Sequence, residues 1–371
     1  MTDFLHLAAP GVRQLRPYQP GKPIEELERE LGVSNIIKLA SNENPLGPSP
    51  LALAAARATL EDVWLYPDGN GFVLKDQLAQ KFGVVMEQLI LGNGSSDVLE
   101  FAVRAFVTPQ DEVIFSEHAF AVYPILTQAA GARAVVVPAK DWGHDLAAMR
   151  AAVTERTRLI FIANPNNPTG TWLPAGELEA FIADLPAHVL VLVDEAYFEY
   201  ASHPAMGATD YPDAIAWVGR YPNLIVARTF SKCYGLAGLR VGYGVCHPQV
   251  ADLLNRVRPP FNVNSLGLAA AAAALDDGEH LQQTLELNAA GMAQLTAGFA
   301  ALDLRHIPSV GNFVSVDTGR VAAPLYDALL REGVIVRPVA NYGMPNHLRV
   351  TVGLPEENER FLAALAKVLG R

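Results

Sequence analysis

The chain has 371 residues, half of them apolar, and a formal net charge of −11. This length and composition predict a globular protein with a substantial core, built as one large and one smaller domain. The acidic balance and the lack of a basic run argue against nucleic acid as a partner. With only two cysteines, a disulfide framework and a zinc site of ordinary spacing are excluded, which favours a reducing cytoplasm.

No segment is predicted to be secreted or to enter a membrane. Residues 1–10 lack the basic stretch and long apolar run of a signal peptide. The longest apolar run, Leu266 to Leu275, is mostly alanine and too short to span a bilayer. We therefore expect a cytoplasmic protein without a membrane partner.

The N-terminal part begins with a proline-rich arm and leads into polar loops. Residues 10–23 are predicted to be extended, followed by a helix from Ile24 to Leu31 and a strand from Ile36 to Leu39. The loop from Ser41 to Pro48 is dense in turn formers, and by itself it indicates no chemistry. Tyr66 then lies in a rigid turn that presents its hydroxyl.

A small, polar stretch from Gly92 to Asp97 precedes an apolar helix predicted over residues 98–107. Small residues at the start of a buried helix leave its free N–H groups open to an anion. Simple N-capping by Ser95 or Ser96 is the alternative. The stretch resembles a dinucleotide fingerprint, but Asp97 stands where the third glycine belongs, so a single phosphate fits better.

Continuously apolar strands alternate with helices through the middle of the chain, which predicts a mainly parallel sheet covered on both faces. Ligands of such sheets bind beyond the carboxyl ends of the strands. Asn167, Asp194 and Lys232 each follow a predicted strand. These strands are Leu89–Leu91, Glu112–Phe115, Ala134–Val137, Leu159–Ala163, Val189–Val193 and Leu224–Ala227.

The pattern changes after residue 262. A long helical region from Ser265 to Leu302 is followed by mixed strands and helices, which predicts a smaller α+β domain. The predicted division is residues 1–34 for an arm and part of the small domain, 35–262 for the large domain, and 263–371 for the small domain with its linking helix.

Lys232 follows a buried strand, where lost solvation eases deprotonation of its amine and lets it attack a carbonyl. Taken alone, the stretch from Thr229 to Arg240 is equally compatible with a surface turn. Asp194 and Asn167 at neighbouring strand ends favour the nucleophile.

Together these residues satisfy the requirements of pyridoxal phosphate, whose signature is a lysine Schiff base with an aspartate at the pyridine nitrogen. Lys232 supplies the amine, Asp194 the partner of the nitrogen, and Asn167 and Tyr197 hydrogen bonds to the phenolate oxygen. The predicted phosphate ligands and stacking residue are Ser95, Ser96, Thr229, Ser231 and Arg240, with Phe120 on the ring face.

The motifs Asn164–Gly170, Asp194–Tyr197 and Ser231-Lys232 with Arg240 resemble the fold-type I, class II aminotransferases over almost the whole chain. Within this family the chain is most similar to the histidinol-phosphate aminotransferases, on the stretches Leu39–Pro48, Tyr66–Asp68, Gly92–Asp97 and Leu348–Gly353. It departs from many relatives in having Ser95-Ser96 in place of an acid pair, and Phe120 in place of a tyrosine.

The resemblance implies a seven-stranded, mainly parallel sheet in an α/β/α sandwich and a homodimer whose active sites lie at the interface. Tyr66 would reach the neighbouring subunit's cofactor phosphate. Tyr18, Asn44, Arg337 and Arg349 would bind substrate, the last through the glutamate carboxylate or the histidinol phosphate ester. The implied reaction is a step of histidine biosynthesis, in which an amino group passes between histidinol phosphate or its oxo form and glutamate or 2-oxoglutarate.

Other functions remain open on the sequence. The same residues suit an aromatic amino acid aminotransferase or, less well, a phosphothreonine-type decarboxylase. A nucleotide-dependent dehydrogenase and a cofactor-carrying protein without turnover leave Lys232, Asp194 and Arg240 unexplained together.

Overall fold

The structure is a computed structural model that describes residues 2–371; Met1, the first residue of the predicted arm, lies outside them. Most predicted elements are present, with ends shifted by a few residues. The strands are β1 (Ile37–Lys38), β2 (Leu89–Gly92), β3 (Glu112–Ser116), β4 (Arg133–Val137), β5 (Thr157–Ala163), β6 (Leu190–Asp194), β7 (Leu224–Thr229), β8 (Gly242–Cys246), β9 (Arg305–Ile307), β10 (Phe313–Asp317), β11 (Val334–Ile335), β12 (Arg337–Pro338) and β13 (His347–Thr351).

The α-helices pack around these strands. They are α1 (Phe4–Leu7), α2 (Ile24–Leu31), α3 (Pro50–Thr59), α4 (Phe72–Phe82), α5 (Ser95–Phe106), α6 (Val122–Ala129), α7 (Leu146–Ala151), α8 (Ala175–Ala183), α9 (Phe198–Ala201), α10 (Pro248–Val257), α11 (Ser265–Asp276), α12 (Gly278–Ala301), α13 (Ala323–Arg331) and α14 (Pro355–Leu369). Within residues 2–371, none of these helices has the length and apolar character needed to cross a membrane.

Seven strands form the largest sheet, in the order β2-β8-β7-β6-β5-β3-β4. The pairs from β7 to β4 are parallel, while β8 runs antiparallel to both β7 and β2. The predicted fold class is therefore confirmed, although β8, a glycine-containing strand, carries no apolar run that predicts it. The carboxyl ends of β5, β6 and β7 meet at one edge.

Both faces of this sheet are buried, which is why its strands are continuously apolar. In β5, Ile160 and Ile162 pack toward α3, α4, α8 and α11, whereas Leu159 and Phe161 pack toward α5, α6 and α10. This gives the three layers of an α/β/α sandwich.

A second, antiparallel sheet of order β12-β13-β10-β9 lies in the C-terminal part and packs against α12, α13 and α14. The N-terminal part contributes here: β1 pairs in parallel with β11, and Leu27 of α2 packs on Leu330 and Ile335. The predicted helical region from 265 to 302 is two helices. Its first half, α11, packs its alanines against α3 and α4 of the large sheet's layer.

Candidate active site

A cavity of about 190 Å³ opens at the edge of the large sheet where β5, β6 and β7 end, and it faces the second sheet. Thirteen of the side chains predicted from sequence line it. They are Tyr18, Ser95, Ser96, Phe120, Asn167, Asp194, Tyr197, Thr229, Ser231, Lys232, Arg240, Arg337 and Arg349.

Lys232 follows β7 and enters the cavity three residues after Thr229, the last residue of the strand. Its Nζ donates to the carbonyl oxygen of Ser41 at 2.9 Å and lies 5.9 Å from the ring centre of Tyr197. Burial, with the nearby positive charge of Arg349, lowers the pKa of Lys232 to about 7. At neutral pH a large fraction of this amine is therefore unprotonated and nucleophilic.

Asp194 is the last residue of β6 and is buried. Tyr123 donates its hydroxyl to Asp194 Oδ2 at 2.8 Å, while Oδ1 is buried with no partner in hydrogen-bonding geometry. Burial raises the pKa of Asp194 to about 6, and the Tyr123 hydroxyl, the Ala196 amide and Lys232 oppose the rise. Asp194 thus presents one oxygen without a hydrogen bond in the same cavity as the Lys232 amine, whose pKa is lowered to about 7.

Two amides converge on the hydroxyl of Tyr197. Asn42 Nδ2 donates to it at 2.8 Å and Asn167 Nδ2 at 3.3 Å. Burial raises the pKa of Tyr197 to about 12, so the hydroxyl keeps its proton and can donate to an oxygen in the cavity. Asn42 was not predicted from sequence.

An anion cradle forms where the N-terminus of α5 meets Arg240. The helix begins at Ser95, three residues earlier than predicted, because Gly94 at φ 87° turns the chain into it. Arg240 itself has φ 56°, and its Nη1 donates to Ser231 Oγ at 3.1 Å. A Cβ at position 94 would overlap the Arg240 guanidinium, so glycine is required for this approach. Helix N–H groups, hydroxyls and a guanidinium together match the oxygens of a phosphate.

Two arginines enter from the second sheet, where Arg337 on β12 pairs with Arg349 on β13. Arg349 is buried; Nη1 donates to Asn167 Oδ1 and Nη2 to the Ala40 carbonyl, each at 2.6 Å, while Nε has no partner. Arg337 Nη2 donates to the Gln19 carbonyl at 2.6 Å. Such a paired positive site, with donors still unsatisfied, suits an anionic group.

Aromatic side chains close the other side. Tyr18 lies 5.8 Å from the Arg337 guanidinium and contacts Phe120 edge-on at 6.4 Å. Phe120 is half-buried and also contacts Tyr123 edge-on.

Two predicted residues lie outside the cavity. Asn44 Nδ2 donates to the Cys233 carbonyl at 2.9 Å and to Thr284 Oγ1 at 3.1 Å, so the expected contact of Asn44 with substrate does not fit its position. Its physical role is to brace the loop, and Asn42, two residues earlier, faces the site instead. Tyr66 is 82% exposed and stacks on Phe261 at 4.7 Å.

The opposite face of the same sheet edge carries a buried ion pair that the sequence did not indicate. Arg228 on β7 donates Nε and Nη2 to Glu195 Oε2 at 2.8 and 2.6 Å, and Nη2 also binds Asp213. The Arg228 guanidinium lies 3.3 Å from the ring centre of Phe198. The signal available in the sequence was that Glu195 directly follows Asp194 and that Arg228 directly precedes Thr229.

The site fits pyridoxal phosphate by its own chemistry: an amine with a lowered pKa, a buried carboxylate oxygen without a partner, and an anion cradle of helix N–H groups, hydroxyls and the Arg240 guanidinium. Fold and site therefore define the fold-type I class of pyridoxal-phosphate proteins.

Comparison with known proteins identifies the family. Residues 34–365 match the family model "Aminotransferase class I and II", and the chain belongs to this family. It is 64% identical over 371 residues to "Histidinol-phosphate aminotransferase 2" of Pseudomonas fluorescens, covering 100% of this chain and 99% of that protein. It is 61% identical to "Histidinol-phosphate aminotransferase 1" of Nitrosococcus oceani, covering 99% and 98%.

A solved structure of similar shape is the histidinol-phosphate aminotransferase from Sinorhizobium meliloti in complex with pyridoxal-5'-phosphate. Its TM-score is 0.90, its identity 32%, and 97% of each chain is covered. The predicted family, fold class and enzyme class are confirmed.

Proposed function

We propose that this enzyme is a pyridoxal-phosphate-dependent transaminase that exchanges an amino group between histidinol phosphate and 2-oxoglutarate, as a step of histidine biosynthesis in the cytoplasm. The observation that carries the proposal is the meeting of the Lys232 amine, the unpartnered Asp194 Oδ1 and the Arg240 cradle in one cavity. The relatives at 61–64% identity, named for histidinol phosphate, support the choice of substrate.

In this proposal the cofactor's three polar regions are held by separate parts of the fold. Ser95, Ser96, Thr229, Ser231 and Arg240 would bind its phosphate. Asp194 Oδ1 would accept a hydrogen bond from its ring nitrogen, and Tyr197 with Asn167 would bind its phenolate oxygen. Phe120 would cover one face of the ring.

Bound here, pyridoxal phosphate supplies a protonated ring that accepts negative charge developing at the substrate Cα. Lys232 Nζ removes the Cα proton and later returns a proton, since an amine with a pKa near 7 works in both directions at neutral pH. Asp194 keeps the ring nitrogen protonated. Tyr197, Phe120 and Arg349 line the cavity around Lys232 Nζ and limit access of water to the proton that it carries.

Arg349 binds the substrate's acidic group, assisted by Arg337 and Tyr18. A single anion site has to accept two shapes, the carboxylate of glutamate and the phosphate ester of histidinol phosphate. Arg349 offers an unpartnered Nε, and both arginines are otherwise held only by neutral oxygens. Within residues 2–371 the hydrogen bonds of the two arginines go to the Gln19 and Ala40 carbonyls and to Asn167 Oδ1, so an incoming anion displaces no acidic partner.

We further propose a homodimer and the domain division 1–34, 35–262 and 263–371. Tyr66 and its neighbour Trp64 are 82% and 78% exposed, which is costly for large aromatic side chains on a lone subunit. In the dimer Tyr66 would donate its hydroxyl to the partner's cofactor phosphate.

The test is a set of half-reactions with the purified, cofactor-loaded protein. Histidinol phosphate and glutamate should each convert the yellow aldehyde-derived absorbance to that of the amine form, whereas phenylalanine and tyrosine should do so far more slowly. Faster conversion by the aromatic amino acids would reassign the enzyme to an aromatic aminotransferase. The Lys232→Ala variant is the control, and repeated turnover by that variant would refute the mechanism.

A further inference from the structure

The Asp194 carboxylate is held by one oxygen and free at the other. Oδ2 accepts the Tyr123 hydroxyl at 2.8 Å, and Oδ1 is buried without a partner in hydrogen-bonding geometry. The strand fixes the Cβ–Cγ bond of Asp194, so the remaining freedom of the planar carboxylate is rotation about that bond. Holding Oδ2 in place stops this rotation and thereby fixes Oδ1 as well. Tyr123 therefore sets the direction in which Oδ1 points.

Tyr123 is itself immobilised by packing. Its side chain is fully buried in the first turn of α6 and stacks on Phe161 with a centre distance of 4.5 Å and an interplanar angle of 3°. Phe120 contacts it edge-on at 5.9 Å. The position of the hydroxyl is thus set by packing of the Tyr123 ring against Phe161 of β5 and Phe120.

Charge explains what this contact does. Burial raises the pKa of Asp194, which disfavours the carboxylate, and a hydroxyl donated to the carboxylate opposes that rise. Burial and the adjacent carboxylate raise the pKa of Tyr123 well above its ordinary value, so this hydroxyl stays a donor. The other groups facing Asp194 are the Lys232 amine, the Ala196 amide and the Tyr197 hydroxyl.

We propose that Tyr123 is a positioning residue that orients Asp194 and keeps it ionised, so that Oδ1 holds the proton on the ring nitrogen of pyridoxal phosphate. This inference rests on the proposed function. Tyr123 does not reach the substrate's reacting atoms in this role; it acts through Asp194.

The test compares Tyr123→Phe with Tyr200→Phe. Phenylalanine keeps the stack on Phe161 and removes only the hydroxyl. Tyr200 is a matched control because its side chain is equally buried, but its hydroxyl faces Cys233 and not Asp194. Cofactor-free proteins are titrated with pyridoxal phosphate and with an analogue that carries carbon in place of the ring nitrogen.

Tyr123→Phe should weaken binding of pyridoxal phosphate on the order of tenfold to a hundredfold, as expected for a hydrogen bond to a charged group, and should leave the analogue within about twofold. In saturated protein, the ¹⁵N resonance of the labelled ring nitrogen should move toward its neutral value. Tyr200→Phe should change neither quantity.

Unchanged affinity and a ring nitrogen that stays protonated in Tyr123→Phe would overturn the inference while leaving wild-type transamination intact. Equal weakening for both ligands would also overturn it, since that result indicates a purely structural role. Failure of the wild-type protein to bind pyridoxal phosphate would instead refute the proposed function itself.

Discussion

Replacing Arg228 with methionine should destabilise the fold by about 3–5 kcal/mol, the cost of leaving a buried charge without its partner. Glu195 is completely buried and receives two N–H groups of Arg228 on one oxygen, at 2.8 and 2.6 Å. Methionine fills the space beside Phe198 but donates no hydrogen bond. Asp213, the third member, is 45% exposed in its side chain and can be solvated.

The assay is urea unfolding of the cofactor-free protein followed by circular dichroism. With a denaturant slope on the order of 3 kcal/mol/M, the loss corresponds to a midpoint lower by roughly 1–1.7 M. The matched control is Arg256→Met, whose ion pair with Asp252 is 68% and 60% exposed. Its midpoint should barely move, because water screens exposed pairs.

A double variant distinguishes the free-energy cost of an unpaired buried charge from the cost of lost side-chain packing. Glu195→Leu combined with Arg228→Met removes both charges, and it should recover a substantial part of the loss because no charge is left stranded. A loss below about 1 kcal/mol for Arg228→Met, the range of exposed ion pairs, would refute the reasoning. So would a double variant as unstable as the sum of the two single variants.

Two further predictions concern the cavity. In cofactor-free protein, labelling of Lys232 by acetic anhydride should rise as pH increases through about 7, because only the unprotonated amine reacts. Labelling of Lys140, which is exposed, corrects for changes in the amount of active reagent. Arg349→Leu should move that rise to higher pH, since removing a nearby positive charge favours the protonated amine, and an unmoved profile would contradict this cause. Gly94→Ala should weaken pyridoxal phosphate at least tenfold through displacement of Arg240, with strain of about 1–2 kcal/mol from the left-handed backbone. Pyridoxal without the phosphate should bind both proteins alike, and an equal loss for both ligands would contradict a role of Gly94 in the cradle.

The sequence was most informative where burial on both faces left a simple pattern. The strand predicted at Val189–Val193 is β6 (Leu190–Asp194), and the strand predicted at Leu159–Ala163 is the C-terminal part of β5. In contrast, β8 has glycines at two of its five positions, so no apolar run indicates a strand there. It is also antiparallel to both neighbours, and the periodicity of a sequence does not predict the direction of a strand. Strand order depends on crossovers that a local pattern does not contain.

Within the site, residues directly at strand ends are predictable from the local pattern, whereas Tyr18 and Arg349 follow only from the family resemblance. Tyr123 and Asn42 are not predicted by either. Asp194 and Lys232 follow apolar runs, which marks them. Tyr123 lies on a helix, and its spacing looks like that of any core aromatic residue. The local sequence does not show that Asn42 rather than Asn44 faces the site, because Asn44 is turned away by contacts with Cys233 and Thr284, far away in sequence.

The contacts of residues 40–42 have a consequence for how the protein is made. The Ser41 carbonyl binds Lys232 across a separation of 191 residues, while the Ala40 carbonyl and the Asn42 amide bind Arg349 and Thr351 across 309. A contact this distant cannot close before both segments have been synthesised, and closing it carries a loop-entropy cost. A chain still emerging from the ribosome therefore has its lysine well before it has a finished pocket, and Arg349 joins the site only after β13 has been synthesised and docked.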